Sequence, residues 1–152
     1  MDTPNPFQTP AAELQTPAAS TAPLRLYSIN AVGLATFLGT SVAGSYIIAA
    51  NLKALGRESE VKKAWYVGIG LLVLMMVLSA VLPESVPAVV FVLPPLFAMN
   101  TYARQLFGPI VIEHKLSKGP FFSLWRVAGI SLLFMLAFVL VLLALVMLSN
   151  PD

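Results

Sequence analysis

Cysteine is absent from the sequence, histidine occurs once, and only 11% of the 152 residues are charged. Without cysteine the chain forms no disulfide, no zinc–thiolate site and no thiol nucleophile. No ionisable residue lies deep within any of the long apolar runs, although such a residue is the usual mark of a proton relay or of intramembrane acid–base chemistry. We therefore predict that the protein is not an enzyme and holds no cofactor and no metal.

The single histidine, His114, follows Glu113 in a connecting segment. One histidine beside one carboxylate lacks the ligand count of a metal site and the third member of a nucleophilic triad. We interpret His114 as a surface residue, and a titrating role near neutral pH is the alternative.

Apolar residues are what the sequence has in excess, at 58% of the chain and a mean hydropathy of +0.84. A soluble domain carries about 25% charged residues, more than twice the fraction found here. The composition therefore indicates a membrane protein whose first partner is the lipid bilayer. A net charge of +2 is too small to indicate a nucleic-acid partner.

The first 26 residues contain five prolines and two copies of Gln-Thr-Pro among alanine, threonine and serine. Such a segment buries too little apolar surface to offset its ordering entropy, so residues 1–26 are predicted to be a flexible, disordered N-terminal tail.

Four apolar segments make up the predicted domain, residues 27–152, at about 29–52, 64–82, 86–103 and 127–149. About 20 helical residues cross the roughly 30 Å of membrane hydrocarbon. We therefore predict an all-α membrane protein with four transmembrane helices. Pro94 and Pro95 interrupt the third segment, where they predict a kink because each removes a backbone donor.

The basic residues predict how these helices are oriented. They fall in two connections, apart from Arg25 in the tail: Lys53, Arg57, Lys62 and Lys63, then Arg104, Lys115, Lys118 and Arg126. Basic connections stay in the cytoplasm, which requires an even number of crossings between them. The predicted location is the cytoplasmic (inner) membrane, with both termini facing outward.

Small residues are concentrated in the first segment. On a helical wheel a uniform sector is formed by Gly33, Thr36, Thr40, Ala43 and Gly44, while Gly39 belongs to a partial groove with Ala31, Ala35 and Ala43. Small side chains let helices approach closely, so we interpret these residues as a helix-packing surface. Packing within the chain, contact with a second copy or a partner helix, and a water-lined path all stay open. The fourth segment is bulky on every side, so the first is expected to be central and the fourth peripheral.

Two other features are polar or irregular. Asn100, with Pro94 and Pro95 before it, is the best candidate for a polar site, and we interpret it as bonding the loosened backbone near the interface; contact with a solute at broken-helix carbonyls is the alternative. Residues 106–122 mix apolar and basic side chains with two Gly-Pro pairs. That segment is either a membrane-surface element or an ordinary loop.

The stretches LYSINAVGLATFLGTSVAGSYIIAANLKALGR and SLWRVAGISLL resemble a family of small polytopic bacterial inner-membrane proteins without an assigned activity. The resemblance covers most of residues 26–135 and rests on the Ala-Thr-Phe-Leu-Gly centre of the first segment. It implies four spans and a bacterial inner membrane, and it supplies no catalytic residues.

The sequence thus predicts a non-enzymatic interaction or accessory membrane protein, which acts through a homo-oligomer or a partner membrane protein. The alternative is a small channel or transporter that works as an oligomer. In that case Thr36, Thr40, Asn100 and the Pro94-Pro95 pair would line the path.

Overall fold

A computed structural model describes residues 23–149, which form four helices. They are α1 (Ile29–Ala54), α2 (Glu58–Val81), α3 (Val89–Leu116) and α4 (Leu124–Ser149). The all-helical prediction is confirmed, and α1, α2 and α4 are long and apolar enough to cross a membrane, judged by length and composition. A fourth span is not confirmed, and most of the predicted tail lies outside the described residues.

Helix α1 is broken in its middle at Gly39 (φ −127°, ψ 18°) and Thr40 (φ 74°, ψ 173°). The backbone N–H of Tyr27 donates to Asn51 Oδ1 at 2.7 Å, and Asn51 Nδ2 donates to the Tyr27 carbonyl oxygen at 2.8 Å. In a straight helix these residues would lie about 36 Å apart. The chain therefore folds back on itself at the break. We call α1 the hairpin, residues 29–38 its first arm, residues 41–54 its second arm, and Gly39-Thr40 its tip.

Contacts between the arms agree with this geometry. A Cβ atom added to Gly44 in the second arm would collide with Thr36 Oγ1 in the first, eight residues earlier in the chain. The first arm is about 15 Å long, half the thickness of the membrane hydrocarbon. The segment predicted as one continuous span over residues 29–52 is therefore a helix broken at its middle, although α1 keeps the length and composition of a candidate span.

The tip does not follow the usual pattern of helix ends. Glycine is common just past a helix end because it adopts a positive φ, but here Gly39 has the negative φ and Thr40 the positive one. The first arm is itself capped by Ser28, whose side chain accepts a hydrogen bond from the Ala31 backbone at 3.2 Å.

The hairpin is the centre of the molecule, as predicted for the first segment. Helices α2, α3 and α4 all pack against it, whereas among the described residues α4 contacts no other helix. Most of the buried side chains belong to the hairpin or face it, while the outer surface of α4 is exposed along its whole length. The prediction that the fourth helix is peripheral is confirmed.

One end of the bundle gathers both ends of the hairpin and the starts of α2 and α4. There the Phe122 N–H donates to the Leu26 carbonyl oxygen at 3.0 Å, and the Arg57 guanidinium donates to the Leu106 carbonyl oxygen. We call it the basic end, because all nine Lys and Arg residues lie in the segments that meet there. Helix α4 leaves it and runs about 39 Å to Ser149. The described ends of the chain, residues 23 and 149, are thus far apart, and the predicted outward orientation of both termini is not confirmed.

Helix α3 returns from the opposite end to the basic end and continues beyond it. Pro94 and Pro95 lie inside the helix, and the non-helical residue of α3 is Phe107 (φ −145°, ψ 15°). The predicted kink at Pro94-Pro95 is not confirmed. Residues 108–116 are helical, so much of the segment 106–122 is more regular than its Gly-Pro pairs indicated.

Candidate functional site at the hairpin tip

Thr40 has the least favourable backbone conformation among the described residues. Its φ of 74° and ψ of 173° fall in a region that is occupied almost only by glycine and costs about 1–3 kcal/mol for other residues. A β-branched side chain makes such a conformation less favourable still. Strain of this kind persists where the surrounding structure enforces it, and it is concentrated at functional sites.

Two cavities of about 210 Å³ each adjoin the tip and share Thr40 and Leu72. The first lies between the tip, α2, α3 and one side chain of α4, and the second between the tip, α2 and α4. Apart from Thr36, Thr40 and Ser41, their lining is apolar. The tip therefore provides the polar groups of two otherwise apolar cavities.

Most hydroxyl groups around the tip already donate to backbone carbonyls. Thr36 donates to Val32 O at 2.9 Å, Ser41 to Gly68 O at 2.7 Å, and Ser131 to Val127 O at 2.7 Å. Ser45, fully buried against Gly68, has no hydrogen-bond partner within the described part of the chain. Only the Ser41 bond joins two helices, since Thr36 and Ser131 each donate to a carbonyl of their own helix. These bonds leave few donors for a ligand.

The prolines of α3 form one wall of the first cavity. Because Pro94 and Pro95 have no N–H, the carbonyls of Val90 and Phe91 lose their intrahelical donors. Phe91 and Pro95 both line the cavity. Asn100 lies further along α3, where its Nδ2 donates to Leu96 O at 3.1 Å. Leu96 O is not one of the two freed carbonyls, so the predicted part of Asn100 stays a prediction.

The small residues of the hairpin serve three different contacts. Gly33 lies against the Asn100 side chain of α3, and Gly44 lies against Thr36 and Met99. A Cβ atom on Gly39 would lie 2.5 Å from the Ser131 carbonyl oxygen of α4 and 2.8 Å from the Cβ of Ala43. The helical wheel placed these residues on shared faces, but it assumed an unbroken helix. All these contacts are within the chain.

Three positions with large roles were not singled out from the sequence. Asn51 joins the two ends of the hairpin, Gly68 allows α2 to touch Ser41 and Ser45, and Ser131 meets Gly39. A signal for Asn51 was available, because it is a polar residue ending an uncharged run of more than 20 residues. Gly68 and Ser131 resemble many other small residues in the apolar segments.

The basic end carries an aromatic and cationic stack. The Phe122 ring lies 4.5 Å from the Tyr27 ring and 4.6 Å from the Arg126 guanidinium carbon. Burial raises the pKa of the Tyr27 phenol, and the nearby Arg126 acts in the opposite direction. Arg57 pairs with Glu60 at 2.7 Å. The remaining predicted basic residues, Lys53, Lys62, Lys63, Arg104, Lys115 and Lys118, are exposed.

His114 stabilises the connection between α3 and α4. Its Nε2 lies 3.1 Å from the Pro120 carbonyl oxygen, and its ring meets the Phe121 ring edge-on at 5.0 Å. It packs so closely on Gly119 that a Cβ there would collide with the ring. These contacts assign the half-buried His114 a structural part in this turn.

Within residues 23–149, no group of three His, Cys, Asp or Glu side chains is arranged to hold a metal ion. Comparison with protein-family models, curated proteins and solved structures finds no match. The resemblance to small bacterial inner-membrane proteins therefore stays a prediction.

Replacing Thr40 with glycine is expected to raise the free energy of unfolding by about 1 kcal/mol. Glycine relieves the strain of the positive φ, which outweighs the entropy cost of added backbone freedom. The matched control is Thr101→Gly, at an exposed regular position of α3, where glycine is expected to cost about 0.3 kcal/mol relative to threonine. Unfolding in mixed detergent micelles measures both, and equal losses would refute a strained tip.

Proposed function

We propose that the chain is a non-enzymatic integral membrane protein in which α2, α3 and α4 cross the bilayer around a re-entrant hairpin. The hairpin enters from the basic end and turns back at about half the membrane depth. Two observations support this: the hydrogen bonds between Tyr27 and Asn51, and an arm length of about 15 Å. Irregular backbone within a membrane is tolerated where protein surrounds it, as at the tip.

The basic end is proposed to face the cytoplasm of a bacterial inner membrane. Nine basic and three acidic residues, Glu58, Glu60 and Glu113, belong to the segments at that end, whereas Glu84 lies in the turn at the opposite end. The positive-inside rule favours this orientation. Arg25 supports the hairpin independently, because a straight first span would leave it alone on the outer side.

The proposed activity is binding within the membrane, as an interaction or accessory protein. The buried hydroxyl and amide groups mainly bond the protein's own backbone, and the hairpin glycines contact the protein's own helices. What is left to meet other molecules within the membrane is the exposed apolar surface of α2, α3 and α4. A second copy or a partner membrane protein is the proposed protein partner.

A small transporter or channel is the second candidate, favoured by one observation. Helices broken at mid-membrane provide backbone groups to solutes in transporters, and the tip at Thr40 is such a break. Purified protein in liposomes separates the two functions. Solute or ion flux that Thr40→Gly alters would favour transport, while the interaction proposal expects no flux and a specific crosslinked complex in the native membrane.

Single cysteines test the orientation cleanly, because the chain has none of its own. We expect Leu24→Cys and Lys118→Cys to react with an impermeant maleimide only after the inner membrane is opened. Glu84→Cys should react in cells whose inner membrane is intact. Labelling of Leu24→Cys together with Glu84→Cys would contradict the re-entrant hairpin and restore a straight first span.

A further inference from the structure

The hairpin fills the bundle only between the basic end and the tip. Helix α4 packs on neither α2 nor α3, and α2 and α3 share only a small contact. The buried residues of α2 are Ala64 and Gly68, and those of α4 are Val127 and Ser131. All four lie at or before the level of the tip, where Ser41 bonds Gly68 and Gly39 meets Ser131. A cleft therefore opens beyond the tip, between α2, α3 and α4.

Bulky apolar side chains line this cleft. Leu72 and Met75 come from α2, Phe91 from α3, and Phe134 and Phe138 from α4, and each of the five is half-buried. The two cavities beside Thr40 form the end of the cleft that is nearest to the tip. Because α4 touches neither α2 nor α3, the cleft opens sideways to whatever surrounds the bundle.

The lining excludes two kinds of occupant. A charged solute would lose its hydration without compensation, since no charged residue lines the cavities and the Thr36 and Ser41 hydroxyls already donate to the backbone. A transmembrane helix would need small residues for a close approach, and these walls are leucine, methionine and phenylalanine. A hydrocarbon chain is apolar and has no hydration to lose, and it is thin and flexible enough to lie between bulky side chains.

We propose that the cleft binds one acyl chain of a phospholipid, with its terminal methyl group against the hairpin tip at Thr40. The lipid belongs to the leaflet at the end opposite the basic residues, and it enters through the gap between α2 and α4. The half-bilayer left unfilled by an arm of about 15 Å matches the depth of one leaflet of hydrocarbon. This inference rests on the proposed membrane orientation, because the tip must lie near mid-depth.

Tryptophan quenching tests the site. In a background with Trp65→Phe and Trp125→Phe, Phe138→Trp reports from the cleft and Leu133→Trp reports from an exposed position of the same helix. The probe is phosphatidylcholine brominated near the chain end, titrated into protein in detergent. We expect quenching of Phe138→Trp to saturate near one lipid per protein and to exceed that of Leu133→Trp at least twofold. Equal, unsaturated quenching of both reporters would overturn the proposal.

A cleft-filling variant makes the assignment specific. Ala137 lines the second cavity, so Ala137→Phe is expected to abolish saturable quenching, while Ala80→Phe, outside both cavities, leaves it unchanged. Saturation that survives Ala137→Phe, or quenching of Phe138→Trp by aqueous iodide, would contradict an acyl chain in the cleft. If the quenching results contradict the proposal but the cysteine labelling gives the expected pattern, only the lipid site is refuted. If the cysteine labelling contradicts the proposed orientation, the lipid site loses the orientation on which it rests.

Discussion

Replacing Asn51 with alanine is expected to lower the free energy of unfolding by about 2–4 kcal/mol. Asn51 is fully buried, and its amide satisfies both the N–H and the carbonyl of Tyr27. Alanine leaves two buried backbone groups without partners, each at a cost of about 1–3 kcal/mol. Reversible unfolding in mixed detergent micelles measures the change.

Asn30 provides the matched control, because it is exposed in the first turn of the same helix. Asn30→Ala should change the free energy by less than about 0.5 kcal/mol. Asn51→Asp keeps the acceptor but places a buried carboxylate oxygen against the Tyr27 carbonyl, so it should cost at least as much as Asn51→Ala. If Asn51→Ala costs no more than Asn30→Ala, the two ends of the hairpin are not joined by this side chain.

Replacing Gly39 with leucine is expected to cost about 3 kcal/mol or more and to release α4 from the bundle. Any Cβ at this position meets the backbone of Ser131, 2.5 Å from its carbonyl oxygen and 2.9 Å from its Cα atom. Backbone atoms cannot move aside as the end of a side chain does, so the helices must separate. Helix α4 has no other helix to hold it, since it packs on the hairpin alone within the described chain.

Gly129→Leu is the control for this change, because Gly129 faces open space on α4. It makes the same substitution on the other helix of the contact and should cost little, since leucine is a better helix former than glycine. Protease sensitivity of α4 in detergent, together with the unfolding curve, reads out the difference. Similar stability of both variants would refute the close contact between hairpin and α4.

The helices were predictable from hydropathy, but the path of the first one was not. Mean hydropathy depends on composition alone. Residues 29–52 therefore have the length and the apolarity of a span whether the helix is straight or folded back. The break depends on two dihedral pairs at Gly39 and Thr40. Arg25 and Asn51 were the signals in the sequence. A straight first span would place Arg25 alone on the outer side, and it would give the Asn51 side chain no bonding partner.

The small residues were recognised as packing positions, while their partners were not. A helical wheel assumes one axis, and the tip gives the two arms different axes, so Gly33, Gly39 and Gly44 face three different neighbours. Which helix each one meets is a property of the assembled fold. Sequence periodicity within one segment carries no information about it.

Helix α3 exceeded its predicted length for a local reason. The Gly108-Pro109 pair was interpreted as a turn, but proline is well tolerated in the first turn of a helix. The backbone breaks at Phe107 and a new helical segment starts directly afterwards, with Pro109 near its beginning. The pair therefore marks a helix restart, and residues 108–116 stay ordered, with Val111 in the core.

The re-entrant hairpin is tested most directly by a distance between its two ends. Spin labels on Asn30→Cys and Lys53→Cys, both exposed, are predicted to lie within about 20 Å of each other, because paired helix axes are 8–10 Å apart. Labels on Ser123→Cys and Ser149→Cys, at the ends of α4, calibrate the measurement, and the distance between them should be about 39 Å. A distance near 35 Å for the first pair, as in an unbroken helix, would contradict the hairpin.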